Sequence, residues 1–105
     1  MRKALLLLFA TAALPAVAAS PYDGLWAVRR QECAERFLRL DGDGWFENRL
    51  GDDTRSGRFT VQGDRIVLRA DDGEEQVMPV MDHAGDRLVL FDDSVEADRR
   101  LVRCR

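Results

Sequence analysis

"LDGDGWFE", Leu40 to Glu47, sets two aspartates and two glycines ahead of an aromatic pair. It reads either as a calcium loop or as a turn between two strands, and the choice decides the fold. A calcium loop of the EF-hand type needs oxygen ligands at alternate positions, a glycine at the sixth and an acidic ligand at the twelfth. Counted from Asp41, the fifth and sixth residues are Trp45 and Phe46, and the ligand series stops after Asp43. The twelfth residue is Asp52, which lacks the reach of glutamate. The stretch therefore reads as a hairpin turn. Asp-Gly suits a type I′ pair, in which both central residues take positive φ. Asp41–Gly44 then joins strand Arg36–Leu40 to strand Trp45–Leu50, and no calcium site is expected there.

Working outward from this hairpin, short strand-like runs recur, each closed by a Gly/Asp turn. They are Leu25–Arg30, Arg36–Leu40, Trp45–Leu50, Ser56–Gln62, Arg65–Ala70, Glu75–Asp82, Arg87–Asp92 and Asp98–Cys104. Even spacing of such runs predicts an all-β fold, a small antiparallel meander barrel of about eight short strands. Alternation supports it: Leu38/Leu40, Phe59/Val61, Ile66/Leu68, Val77/Pro79/Met81 and Leu88/Leu90 each share a strand face. A helical turn is expected at most within Ser94–Arg100. Trp26, Phe46, Phe59, Leu68, Leu88 and Val102 are expected to nearly fill so small a barrel, leaving no large internal pocket.

The first residues carry a different message. Met1-Arg2-Lys3 is followed by the apolar run Ala4–Leu14, then Pro15 and a small-residue end, Ala16–Ala19. A basic start, an apolar middle and an A-x-A-like end make a secretory signal peptide. The run falls short of the ~20 residues that a transmembrane helix requires. Residues 1–19 are expected to be removed, with cleavage after Ala19 or after Ala18, leaving residues 20–105 as one domain. No cysteine stands at the cleavage point to carry a lipid. The expected location is the bacterial periplasm or the medium.

Loss of Arg2 and Lys3 leaves nineteen acidic against fourteen basic residues, a charge of about −5. That balance disfavours nucleic acid, which is bound chiefly by neutralising phosphates. The two cysteines, Cys33 and Cys104, read as one disulfide in an exported chain. By the chain-entropy model a bridge over so long a loop is worth roughly 4 kcal/mol to a domain whose core alone is marginal. It would clamp the first strand to the last, the seam at which a meander barrel closes.

Catalytic signals are weak. His83, the only histidine, sits in "MDHAGD" and reads as a solvated turn residue. No motif links it to Ser20, Ser56 or Ser94, and no lysine remains in the mature chain. The acidic pairs Asp52-Asp53, Asp71-Asp72 and Asp92-Asp93 could hold a divalent cation if they met at one barrel rim, but read first as soluble hairpin ends. Met78 and Met81 fall on opposite strand faces and cannot both serve one copper ion. No catalytic residue, cofactor or metal site is expected.

The pattern "YDGLW … FLRLDGDGWFENRL … GRFTVQGDRIVLRADDGEEQVMPV … GDRLVLFD" resembles the small bacterial lipocalin-like barrels. It is most similar to the N-terminal barrel of the NlpE-type copper-resistance and envelope-stress lipoproteins. The matching residues are Tyr22, Gly24, Leu40, Asp43, Gly44, Trp45, Gly57, Phe59, Ile66, Leu68, Gly73, Glu74, Gly85, Asp86, Leu88 and Asp92. Gly24 and Trp26 also match the Gly-x-Trp that opens lipocalins, in which an arginine of the last strand packs on the tryptophan. Arg100 and Arg103 are the candidates for that arginine. The NlpE-type barrel carries a Cys-x-x-Cys after its first strand; here Cys33 is followed by Ala34-Glu35-Arg36, so copper binding is not implied.

The resulting expectation is an exported, monomeric, non-catalytic binding protein of the bacterial envelope, in the setting of stress. Its partner would be an envelope protein or a small apolar ligand, at residues the sequence does not identify. Two alternatives stand beside it: an exported hydrolase inhibitor inserting the acidic hairpin Leu50–Arg58, and a weak metal-handling protein using the aspartate-rich turns and His83.

Overall fold

Period-two alternation runs through the chain, and the sheet it builds closes on itself. The structure, a computed structural model, describes residues 20–105; the expected signal segment lies outside the described residues. Eight antiparallel strands form a closed barrel in chain order. They are β1 (Gly24–Ala27), β2 (Leu38–Leu40), β3 (Trp45–Asn48), β4 (Arg55–Gln62), β5 (Arg65–Ala70), β6 (Glu75–Ala84), β7 (Arg87–Asp92) and β8 (Ala97–Arg103). Among the described residues no helix is long and apolar enough to cross a membrane.

The seam is where it was expected. Trp26 pairs with Arg103 and Ala27 with Val102, and the Cys104 N–H donates to the Leu25 carbonyl at 2.7 Å. Cys33 and Cys104 form the disulfide, with Cα atoms 5.9 Å apart. β1 is shorter than its apolar run suggests because the chain bends at Val28–Arg29 and makes a single 3-10 turn, Arg30–Glu32. The bridge ties this excursion to the seam. Ala27 faces away from Trp26 and is nonetheless fully buried.

One interior position differs from the expectation. Leu101, not Val102, is the fully buried residue of β8. Leu101 pairs with inward Leu88, and Val102 with Arg87. Cys104 therefore shares the outer row with Val102 and Arg100, because successive side chains alternate between faces. The Ser94–Arg100 stretch is not helical either. It forms a turn in which Glu96 takes φ 52°, and β8 begins at Ala97.

The Asp41–Gly44 hairpin is a turn of a different type from the one expected. Gly44 alone takes a left-handed conformation, φ 89°, and its N–H donates to the Asp41 carbonyl at 3.1 Å. Asp41 Oδ1 accepts from the backbone N–H groups of Asp43 and Trp45, each at 3.0 Å. This is a type I turn closed by a left-handed glycine, the usual solution for a three-residue hairpin loop. The Asp41 carboxylate is occupied as a backbone cap.

Candidate functional site

The two ends of the barrel are built from different residues. At the end holding the N-terminal segment and the β2–β3, β4–β5 and β6–β7 turns, large side chains fill the lumen. Trp26 is fully buried, and its indole N–H donates to the Tyr22 carbonyl at 2.8 Å. The Arg103 guanidinium lies 4.3 Å above the Trp26 ring and donates to the Asp23 carbonyl at 2.8 Å. Of the two candidate arginines Arg103 is thus the one on the tryptophan; Arg100 is exposed on the outer face. Gly24, at φ 145°, makes this possible, since a Cβ there would collide with the Arg103 guanidinium.

His83 belongs to this plug, which corrects its reading as a solvated turn residue. It lies within β6, opposite Leu88. A bulge between Val80 and Asp82 shifts the register by one residue. Without it, the inward row Met78–Val80 would continue to Asp82; with it, His83 turns inward instead. Its ring meets Tyr22 edge-on at 5.0 Å and Trp26 at 6.2 Å. Its Nε2 is buried with no hydrogen-bond partner. Met81, at the bulge, is exposed, while Met78 is fully buried, so the two sulfurs stand on opposite sides of the wall.

The other end, ringed by the β1–β2 connection and the β3–β4, β5–β6 and β7–β8 loops, is open. It holds a cavity of about 830 Å³ lined by Phe46, Leu50, Leu68, Ala70, Val77 and Gln76, among others. The expectation that interior side chains nearly fill the barrel therefore holds only at the plugged end. The reason lies in which inward positions meet. Phe46 pairs with Gly57, and Gly57 with Ala70, so two of three neighbouring strands offer almost no side chain to the lumen. Gly57 has no alternative: a Cβ would press into the backbone of β5 at Arg69 and Ala70.

Asp92 is the buried charge of this cavity, 4% exposed. Gln76 Nε2 donates to its Oδ1 at 2.9 Å, as do the Ser94 N–H at 3.0 Å and hydroxyl at 2.6 Å. Arg99 Nε donates to its Oδ2 at 3.0 Å. Burial pushes the Asp92 carboxyl up, but the hydrogen bonds from Ser94 and Arg99, with the Arg99 charge, outweigh it and hold the group below its ordinary value. The carboxylate stays charged, and its lone pairs are taken up by the wall.

The acidic pairs Asp52-Asp53, Asp71-Asp72 and Asp92-Asp93 all fall at this open end. Among the described residues, however, no group of three or more His, Cys, Asp or Glu side chains is arranged to hold a metal ion. The serines are engaged separately from His83: Ser20 donates to Asp23, Ser56 to Asp71 and Ser94 to Asp92. Gly57, Ala70, Gln76, Asp92 and Arg99 are site residues that strand alternation alone did not single out. Their signal was available, because small and polar residues occupy inward positions at one end of each strand from β4 to β8. No family model matches the chain, and neither a curated protein nor a solved structure matches it.

Proposed function

We propose that the protein is a non-catalytic binding protein of the bacterial envelope, exported by residues 1–19, that takes a small ligand with apolar parts into the open end of its barrel. The observation that carries this reading is the asymmetry of the lumen. One end is sealed by Trp26, Tyr22, His83 and Arg103; the other holds about 830 Å³ over Phe46, Leu68 and Ala70. A concave site with an apolar floor and a few fixed polar groups is the general form of a small-molecule site. The resemblance to lipocalin-like barrels supports the same reading. The hydrolase-inhibitor alternative has less support, since it asks for a loop standing clear of the barrel. Leu50 is instead buried, and Gly51–Asp53 line the cavity.

Titration of the oxidised protein with the neutral apolar fluorophore N-phenyl-1-naphthylamine, followed by amide chemical shifts, tests the site. Saturable binding with shifts at Phe46, Leu68, Ala70 and Gln76, lost in Ala70→Phe, is the expected result. Absence of saturable binding, or shifts confined to the outer wall, would overturn it. Recovery of a periplasmic chain beginning at Ser20 or Ala19 tests export.

A further inference from the structure

The open end also carries a sign. Resting on the mouth reading above, we infer that its ligands are cationic amphiphiles: molecules joining an ammonium or guanidinium group to an alkyl or aryl portion of a size the floor can cover. The floor accounts for the apolar portion. Leu68 and Phe46 are buried in the wall beneath the mouth, and Val95 stands half-exposed at the lip in the β7–β8 turn. An apolar side chain left at the entrance above that floor loses water when a hydrocarbon enters.

The rim accounts for the charge. Six carboxylates line the cavity against three guanidiniums, and the internal pairing leaves the excess negative. Arg99 is committed to Asp92 and Arg55 to Asp72, while Glu75 is matched by Arg69. Among the described residues Asp52, Asp53, Glu74 and Asp93 take part in no ion pair. Only Arg36 opposes them, and its guanidinium is held to the Leu50 carbonyl at 2.7 Å. Four unpaired carboxylates on the rim of a concave site set a negative potential at its mouth, which draws cations and repels anions. A carboxylate or phosphate ligand would find only Arg36 without a carboxylate partner, and would otherwise have to compete with Asp92 for Arg99 while crossing that rim.

Three probes with a common tail separate the claims: octyltrimethylammonium and octanoate, each below its micelle concentration, and 1-octanol below its solubility limit, titrated into the oxidised protein at low and at high salt. The expected order at low salt is cation, then alcohol, then carboxylate, with the cation favoured over the alcohol roughly tenfold and the preference shrinking at high salt. The triple substitution Asp52→Asn, Asp53→Asn, Asp93→Asn should remove the preference while leaving octanol binding unchanged. Equal affinities, or octanoate binding best, with shifts at Leu68 and Ala70 would overturn the cation assignment and leave the mouth reading standing. No probe shifting those amides would overturn both. Should the triple variant not fold, the salt dependence of the unaltered protein decides the question.

Discussion

Asp92 shows how one residue can serve stability and the site together. Its side chain is almost wholly buried, and both oxygens accept hydrogen bonds, from Gln76 and Ser94 on one side and Arg99 on the other. Because its folded-state value lies below the ordinary 3.8, the charged form contributes stability that is fully present above that pH. The contribution is lost as the pH falls through the depressed folded value. Asp92→Asn should therefore destabilise the protein at neutral pH by about 2 kcal/mol, the loss of charge-assisted bonds that also strands Arg99. Denaturant melts across pH should show the gap between the two proteins widest near neutrality and narrowing below pH 3.8. A constant gap would mean that the charge plays no part. In the sequence Asp92 is only one of a pair of aspartates at a strand end; Ser94 is two residues on, but Gln76 and Arg99 are 16 and 7 residues away.

At the scale of the element, the strands themselves were legible. β5 and β7 run over Arg65–Ala70 and Arg87–Asp92 as alternation predicts. Their neighbours differ by a few residues at their ends, where bends and turns rather than side-chain pattern set the limits. The bulge in β6 is what the pattern does not carry. Val77, Pro79 and Met81 read as one face, yet Met78 and Val80 are the inward residues and His83 joins them after the shift. Gly57 in β4 is a second such point. It sits against the backbone of β5, so its small size sets both the spacing of that strand pair and the width of the mouth. Gly57→Ala should cost about 2 kcal/mol through the backbone shift it forces. A melt superimposable on that of the parent would show that β5 can yield.

For the whole molecule, closure is the unfavourable step, since the first and last strands must meet across nearly the full length of the domain. The Cys33–Cys104 bridge spans 71 residues and lies at that seam. By the chain-entropy relation it removes about 4 kcal/mol worth of disorder from the unfolded chain. Reduction should lower stability by roughly 2–5 kcal/mol, enough to unfold much of the population of so small a domain. Thiol counting on native material, then melts with and without reductant, measures it. Superimposed melts would mean that strand pairing alone, Trp26 with Arg103 and Ala27 with Val102, holds the seam.

Local pattern determined that this chain is an all-β meander, and two cysteines in a chain read as exported pointed to their being joined. Alternation between faces and the turn chemistry of Asp and Gly act over two to four residues and are written in contiguous sequence. Tertiary structure alone decided that the barrel is sealed at one end and open at the other. The filling of a lumen depends on which inward side chains lie opposite one another across strands that are distant in the chain. Phe46 meets Gly57 and Ala70 at the mouth, whereas Trp26, His83, Leu88 and Leu101 gather at or near the plugged end. A one-residue bulge at Met81 exchanges Asp82 for His83 in the plug. Register of this kind is a non-local quantity, because it is settled only when all eight strands have paired and closed.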